Sequence, residues 1–386
     1  MALAMSAHCR AVDSPVVRGD THGSGVASGT LSDDLEVVWT YHAANDAGFE
    51  ATAVVADGMV YVGDNDGTFH AVRLSDGSTV WTQEFEDSGF LAGAAIDKKN
   101  GRLFVGDAFE TFRCLTWEDG EELWKAKLEA EVYAGPTLHD GHVLVTCEAG
   151  TLSCLDAETG EERWKFHIEA PLRCTPSLVA GRALLAGCDS LLHIIDVADG
   201  TEVGSVPIDA PTGATAAIRG KRVYFGTEGG TFFAMEINEA DPAKSRVVWT
   251  YRDEARGQPI RSAAAVTDKL VVYGTQGKSV YGLNPRTGQL KWQLAQRSRV
   301  DSSPVIVGRR VVVATMGGKL LVVDTAKGEE KWSYDAGGSF AASPVVIDGR
   351  IVLGNTDGTL YCFGPKSDTK NELTTKDTKS TKKEEQ

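Results

Sequence analysis

The residues of this sequence that are best suited to chemistry recur at one position of a repeated pattern, at the start of a short apolar strand. In register along the chain, this position holds Glu50, Leu91, Tyr133, Arg173, Gly213, Arg261, Asp301 and Ala341. An arginine can hold a carboxylate through two parallel hydrogen bonds, so Arg173 and Arg261 could bind a peptide or a small anion. Glu50, Tyr133 and Asp301 would complete a mixed-charge binding site. The alternative is that these positions are polar only because they contact water, at the end of a channel enclosed by the repeats.

Patterns for catalysis are weaker. Glu50 and Asp301 could supply part of a calcium site and a general base, but two carboxylates alone do not specify a metal. The sequence contains no H-E-x-x-H, G-x-S-x-G or P-loop pattern. His70 and His193 occupy matching places in the repeat, which indicates a repeated structural role. We therefore predict no catalytic residue, no metal ligand and no resident cofactor.

The seven cysteines indicate neither a disulfide framework nor a metal centre. They form no C-x-x-C pair and no adjacent pair, so we expect small buried side chains within strands. Cys174 and Cys188 are predicted to lie near each other in one hairpin. The sequence leaves open whether a disulfide joins them. Unpaired thiols favour a reducing compartment.

The charge balance argues against two kinds of partner. The chain has 54 acidic and 39 basic residues and a formal net charge of -15, which repels a phosphate backbone. No apolar run reaches the roughly 20 residues that a membrane-spanning helix needs. The opening MALAMSAHC is too short for a secretory signal. We expect no nucleic-acid partner and no transmembrane segment.

The strongest pattern is a tryptophan that returns with a period of about 42 residues, a spacing typical of propellers and other repeat arrays. A glycine stands four residues before it in most copies, as in LDAETGEERW. Gly204 occupies the place of one further tryptophan, so a weaker docking contact between neighbouring repeats is expected there. The tryptophans in register are Trp39, Trp81, Trp124, Trp164, Trp249, Trp292 and Trp332.

Each repeat is consistent with four short antiparallel strands, which we call A to D. Residues 49–85 contain FEATAVVADG, MVYVGDNDG, TFHAVRLSDG and STVWTQEF, and the Asp-Gly pairs between these β-rich runs tolerate the positive φ of tight turns. A sheet of four short strands cannot bury both faces alone, so it must stack on others. The tryptophan of strand D is expected to cover the seam between two sheets. We predict an all-β fold, an eight-bladed β-propeller of four-stranded antiparallel blades.

The two ends of the chain are predicted to share the last blade. After Trp332 the sequence supplies three strands in residues 339–364, and the missing fourth is expected from LEVVWTYH at 35–42. The predicted organisation is a flexible leader over 1–34, with some of it ordered against the ring, and a propeller over 35–364. A disordered tail is predicted over 365–386.

Three phrases carry a resemblance to a known family. CLDAETGEERW (154–164), GLNPRTGQLKW (282–292) and VVDTAKGEEKW (322–332) resemble the tryptophan-docking phrase of propellers with pyrroloquinoline-quinone-like (PQQ-like) repeats, the fold of quinoprotein alcohol dehydrogenases. This resemblance covers about residues 31–364, and the chain is also similar to the lipoprotein of the outer-membrane β-barrel assembly machinery. The resemblance implies an extracytoplasmic or periplasmic location, whereas the missing signal implies a cytoplasmic one, and both stay open.

The resulting expectation is a non-catalytic, monomeric scaffold that binds a protein segment or a small ligand at the channel mouth or rim, in cell-envelope protein assembly. The alternative that the resemblance implies is a PQQ-dependent dehydrogenase of alcohols or sugars, with the quinone and calcium as cofactors. Quinone-binding members hold the cofactor under a ring made by adjacent bonded cysteines. This chain has no Cys-Cys pair.

Overall fold

Eight sheets form the body of the protein in the computed structural model, which describes residues 13–255 and 257–366. In blade order 1 to 8, strands A are Val54–Ala56, Ala95–Asp97, Thr137–His139, Ser177–Val179, Ala217–Arg219, Ala265–Val266, Val305–Val307 and Val345–Ile347. Strands B are Met59–Gly63, Arg102–Gly106, His142–Thr146, Arg182–Ala186, Arg222–Gly226, Val271–Thr275, Arg310–Ala314 and Arg350–Gly354. Strands C are Thr68–Arg73, Thr111–Thr116, Thr151–Asp156, Leu191–Asp196, Thr231–Glu236, Ser279–Leu283, Lys319–Asp324 and Thr359–Pro365. Strands D are Thr79–Glu84, Glu122–Lys127, Glu162–His167, Glu202–Pro207, Arg246–Arg252, Leu290–Ala295, Glu330–Asp335 and Leu35–His42.

A few short elements lie outside the four-stranded pattern. Val26–Ala27 pairs in parallel with strand A of blade 7 and makes that sheet five-stranded. Ala44–Asp46 and Pro242–Lys244 are single turns of 3-10 helix. None of the helices in residues 13–255 and 257–366 is long and apolar enough to cross a membrane. The prediction of an eight-bladed β-propeller is confirmed.

The burial of each strand follows from the stacking of the blades. Most residues of strands B and C are buried on both faces, because every blade lies between two others. Strand D alternates between exposed and half-buried residues, as in Glu162–His167. Strands A and B of blade 3 are joined through Asp140 (φ 43°) and Gly141 (φ 78°), the left-handed pair of a tight hairpin turn.

The core is divided among the seams between blades. The described residues form eight apolar clusters, and each one combines side chains of two neighbouring blades. In one cluster, Phe104 and Phe112 of blade 2 pack with Val143 and Val145 of blade 3. A single blade therefore has no core of its own, and its stability depends on its neighbours.

The first and last strands of the propeller are paired in blade 8. Leu35–His42 runs antiparallel to Thr359–Pro365, with Trp39 opposite Cys362. The predicted closure by an N-terminal strand is confirmed. Strand C of this blade extends to Pro365, so the start of the predicted tail belongs to the propeller. The rest of that tail, 367–386, lies outside the described residues, as do residues 1–12.

The tryptophans of strand D lie at the seams, where the repeat predicts them. Each indole Nε1 donates a hydrogen bond to a backbone carbonyl of the following blade, at 2.9 to 3.3 Å. In the order of the tryptophans from Trp39 to Trp332, the acceptors belong to Leu74, Trp117, Ala157, Val197, Pro285, Thr325 and Leu35.

In five copies a glycine stands four residues before the tryptophan, and it packs against the indole of the preceding blade. Gly160 precedes Trp164 in sequence, but it packs against Trp124, and a Cβ at Gly160 would lie 2.6 Å from Cε3 of Trp124. Gly328 stands in the same relation to Trp292. The glycine also has positive φ, 76° at Gly160. Conformation and close approach both require glycine here.

The seam at Gly204 is covered by a loop instead of an indole. A Cβ at Gly204 would lie 2.8 Å from the carbonyl oxygen of Pro242, so the 3-10 turn Pro242–Lys244 packs where an indole lies in other blades. This turn belongs to the loop between strands C and D of blade 5. The seam is therefore covered by backbone of the next blade.

Cys174 and Cys188 are both free thiols, so the bridge between them does not form. Cys174 is fully buried, and burial raises the pKa of its thiol to about 12. Cys114 and Cys154 are also buried in strands C, where burial raises their pKa to about 12 and about 11. These thiols pack as small apolar side chains.

Candidate binding site at the channel mouth

The eight strands A line a channel along the axis of the ring. We call the face at which strand A begins the upper face; it carries the loops from B to C and from D to A. The lower face carries the turns from A to B and from C to D. The predicted mouth residues precede strand A and therefore lie at the upper end of the channel.

Residues 14–25, which we call the inner belt, line the channel further down. Backbone N–H groups of strand A in six blades donate to belt carbonyls, at 2.7 to 3.0 Å. The donor and acceptor pairs are Val55 to Ser14, Ile96 to Pro15, Leu178 to Thr21, Ile218 to His22, Val266 to Ser24 and Ile306 to Gly25. The belt therefore pairs backbone groups of inner edge strands that would otherwise face an open channel.

The inner belt belongs to residues 1–34, for which the sequence predicts a flexible leader with some of it ordered against the ring; residues 14–25 are ordered against strands A. The segment is rich in glycine and serine and shows no alternation of apolar residues, the signal from which strands are predicted. It binds through its backbone instead. Sequence patterns report side-chain burial, so they did not reveal a segment that is held by its carbonyl groups.

A ring of small side chains lies two residues after the mouth positions. In blade order these are Thr52, Gly93, Gly135, Thr175, Thr215, Ala263, Ser303 and Ser343. Several hydroxyls accept a hydrogen bond, at 2.9 to 3.1 Å, from the N–H of the same position in the preceding blade. These pairs are Ser343 to Thr52, Ser303 to Ser343, Ala263 to Ser303 and Thr175 to Thr215.

The two glycines of this ring make room for the belt. A Cβ at Gly93 would lie 2.5 Å from Cγ2 of Val17, and a Cβ at Gly135 would lie 2.6 Å from the same atom. The side chain of Val17 therefore fills the space of the missing side chains on blades 2 and 3. The ring could have been found from the sequence, because a small residue (glycine, alanine, serine or threonine) stands two positions after every mouth residue.

The side chain of Arg18 extends from the belt to the carbonyl groups of blades 6 and 7. Its side chain is buried, with 8% of the residue exposed. Nη1 donates to the carbonyl of Pro304 at 2.9 Å, and Nη2 donates to that of Ala264 at 2.6 Å. Burial lowers the pKa of Arg18 to about 10, and the nearby Asp20 opposes this shift. Sequence reasoning did not select Arg18 as a site residue, since it lies in the segment that was predicted to be flexible.

A cavity of about 130 Å³ opens above Arg18 toward the upper face. Of the predicted site residues, Tyr133, Arg173 and Arg261 line it together. Arg18 and several hydroxyls of the ring, including Thr175 and Ser303, form the rest of its polar lining. The structure therefore brings three of the five predicted residues to one cavity and adds a buried arginine at its base.

Two acidic residues hold the exposed arginines in place. Arg173 donates to both carboxylate oxygens of Glu148, from Nε at 2.5 Å and from Nη2 at 2.8 Å. Arg261 donates from Nε to Glu228 at 2.8 Å. The Glu148 carboxylate raises the pKa of Arg173 above its usual value. Both acids lie in B–C loops and were not among the predicted site residues.

Glu50 and Asp301 are placed differently from the arginines. Glu50 accepts a hydrogen bond from Nδ2 of Asn65 at 2.9 Å, and Asp301 lies 3.1 Å from Nε of Arg299. Neither residue lines the cavity. Burial raises the pKa of Asp301 above its ordinary value. These two carboxylates belong to the rim of the mouth, and they do not converge on a common point in the cavity.

The cofactors of the quinoprotein alternative do not fit this mouth. Pockets that enclose a whole organic ligand typically measure about 300 to 1,000 Å³, and the axial cavity is about 130 Å³. In the part of the chain that the structure describes, no cluster of three or more His, Cys, Asp or Glu side chains is placed to hold a metal ion. The docking tryptophans lie at the seams, away from the channel, and do not form a floor for a planar cofactor.

Comparisons with known proteins agree with this architecture. A family model described as outer membrane protein assembly factor BamB matches residues 28–97, 71–219 and 215–370. A search of the curated proteins found no match. BamB from Moraxella catarrhalis superposes with a TM-score of 0.72 at 18% identity, over 86% of this chain and 98% of that chain.

Two further solved structures have the same fold. Quinohemoprotein alcohol dehydrogenase from Comamonas testosteroni gives a TM-score of 0.74 at 16% identity, over 92% of this chain and 81% of that chain. The computationally designed Ika8 protein also gives 0.74 at 16% identity, over 85% of this chain and 99% of that chain. Such low identity establishes the architecture alone. Because the family model matches most of the sequence, the chain belongs to the PQQ-like repeat β-propellers, in the family described as outer membrane protein assembly factor BamB.

Proposed function

We propose that this protein is a non-catalytic scaffold in the cell envelope that binds a segment of another protein at the upper mouth of its channel, during protein assembly. The observation that carries the proposal is the cavity lined by Tyr133, Arg173 and Arg261, at the end of the channel above the inner belt. Membership of the BamB family supports an assembly role and an extracytoplasmic location.

The surface around the mouth suits a protein partner. Tyr133 is 44% exposed and Phe109, in a B–C loop of the same face, is 52% exposed. Exposed aromatic side chains beside arginines are typical of the residues that dominate binding energy in protein interfaces. Glu86, Asp87 and Glu131 lie in neighbouring loops of this face, so the rim would attract a basic partner.

A site-specific crosslinking experiment tests the proposal. A photoreactive amino acid is placed at Tyr133 on the upper face and, separately, at Lys221 on the lower face, and the products from envelope extracts are compared. The partner that crosslinks only from Tyr133 is then purified. Its affinity is measured for Arg173→Ala, Arg261→Ala and the control Arg219→Ala.

Arg219 is a matched control because it forms a bidentate pair with Asp268 on the lower face, at 2.8 and 2.9 Å. We expect Arg173→Ala and Arg261→Ala each to weaken binding about tenfold or more, as truncated interface arginines commonly do. Arg219→Ala should change it little. Equal affinities for all of these variants would place the partner elsewhere on the molecule.

The quinoprotein alternative has its own test. Purified protein is incubated with pyrroloquinoline quinone and Ca²⁺ and passed through a gel-filtration column. We expect no quinone absorbance in the protein peak and no dye reduction with alcohols or sugars. Retained quinone together with dye reduction would replace the scaffold proposal by a dehydrogenase.

A further inference from the structure

The charge of Arg18 is incompletely compensated inside the channel. Its two bonded nitrogens meet neutral carbonyl groups, and its Nε is buried without a hydrogen-bond partner in the described part of the chain. None of the described carboxylates lies within ion-pair distance of it. A buried cation is costly unless an anion or further hydrogen bonds compensate it. The protein nevertheless reserves space for this side chain, because any Cβ at Gly25 would overlap its guanidinium group.

The cavity above Arg18 has the lining of an anion site. Arg18 forms its base and Arg173 and Arg261 form its walls, and none of its lining residues is acidic. In the described residues, the pairs with Glu148 and Glu228 leave Nη1 of Arg173 and Nη2 of Arg261 without a partner. A guanidinium group is suited to bind a planar carboxylate, and three of them line this cavity.

The rim has the opposite charge. Glu148 and Glu228 pair with the two exposed arginines, and Glu50 and Asp301 lie at the same level on other blades. A ligand that carried several negative charges would be repelled before it reached the cavity. A ligand with one negative charge at its tip and positive charge behind it would match both zones.

The size of the cavity decides how such a ligand enters. At about 130 Å³, it accommodates a carboxylate group but is well below the roughly 300 Å³ of a pocket for a whole organic ligand. A side-chain carboxylate from the middle of a peptide would have to bring two lengths of chain over the acidic rim. A carboxylate at the C-terminus brings only one length of chain over the rim.

We propose that the cavity between Arg18, Arg173 and Arg261 binds the C-terminal carboxylate of a polypeptide whose preceding residues are basic. The inference rests on the proposed function and specifies its partner. Arg18 then acts as the buried cation of the site, and the acidic rim contacts lysine or arginine side chains just before the terminus. Tyr133 flanks the entering chain.

Fluorescent peptides test this assignment by anisotropy with the full-length protein. A peptide ending in Lys-Arg-Leu with a free carboxylate is compared with its C-terminal amide and with a peptide ending in Glu-Asp-Leu. Acetate and inorganic phosphate serve as competitors. We expect the amide to bind at least about tenfold more weakly, the loss of one charge-assisted contact, and the acidic peptide to bind more weakly than the basic one.

Variants assign the contacts. Arg18→Gln and Arg173→Ala should remove the preference for the free carboxylate, whereas Arg219→Ala should retain it. Since Arg18→Gln could disturb the inner belt, thermal melting checks that each variant is folded. If Arg18→Gln does not fold, the affinities of Arg173→Ala and Arg261→Ala for the acid and the amide peptide decide whether the cavity binds the carboxylate.

Equal affinity of acid and amide would overturn the inference, and so would binding of acetate or phosphate with no affinity for either peptide. These results are separable from failure of the scaffold proposal. If peptides show no preference but the Tyr133 crosslink still depends on Arg173, the proposed function holds and only the carboxylate assignment is lost. If the peptides show no preference and the Tyr133 crosslink does not depend on Arg173, both the proposed function and the carboxylate assignment are lost.

Discussion

At the scale of single residues, the contact between a glycine and an indole sets the distance between neighbouring blades. Gly160 has positive φ and leaves no space for a Cβ above Trp124. The repeat in the sequence predicts both residue types and their spacing. It does not reveal that the glycine belongs to the indole of the preceding blade, because the pairing exists only once two repeats are stacked.

Replacing Gly160 with alanine separates the two requirements for glycine. Gly141 in the same blade has a similar φ, 78° against 76°, but faces open space. We expect Gly141→Ala to cost about 1 to 2 kcal/mol of unfolding free energy from left-handed strain. Gly160→Ala should cost about 1 to 3 kcal/mol more, because its Cβ overlaps Trp124. Urea unfolding measures both, and equal costs would refute the indole contact.

At the scale of elements, two segments took roles that their sequences did not indicate. The turn Pro242–Lys244 fills the seam beside Gly204, although its polar loop sequence is typical of ordinary loop variation. The inner belt pairs with strands A through carbonyl groups. Patterns of apolar residues predicted the strands and their order well. They failed for segments whose contacts are made by backbone, since any residue type supplies a carbonyl.

The seam at Gly204 offers a compensation experiment. Gly204→Trp alone should destabilise the protein by about 1 to 3 kcal/mol, because the side chain overlaps Pro242. Replacing residues 239–244 by a two-residue turn should also destabilise it, since the seam is then uncovered. Combined, the two changes should recover part of the loss, as an indole docks on the shortened loop. Thermal melting measures each variant, and strictly additive losses would contradict the exchange of roles.

At the scale of the whole molecule, the N-terminal region contributes two separate closures. The inner belt pairs with strands A of six blades, and Leu35–His42 completes blade 8. The second closure was predictable, because the count of strands after Trp332 leaves one missing. The first was not, because its residues carry no periodic signal.

Two truncated chains distinguish these closures. A chain that begins at Ser28 lacks the belt but keeps strand D of blade 8, and we expect a folded monomer with a lower melting temperature. A chain that begins at Ala43 also exposes the edge of Thr359–Pro365, and open edges of this kind associate with other chains. Size-exclusion chromatography with light scattering should report aggregates or oligomers for the second chain alone. Identical behaviour of both chains would mean that Leu35–His42 does not close the ring.

The shared blade also constrains how the protein is made. Leu35–His42 leaves the ribosome before the other strands of the eight blades, and its partner Thr359–Pro365 is the last of these strands to emerge. At about 5 to 20 residues per second, the growing chain spends roughly 20 to 70 s as an open arc. Throughout that time an apolar blade face lacks its neighbour at each end of the arc. Nascent chains of this protein should therefore need shelter from association until the last blade has been synthesised.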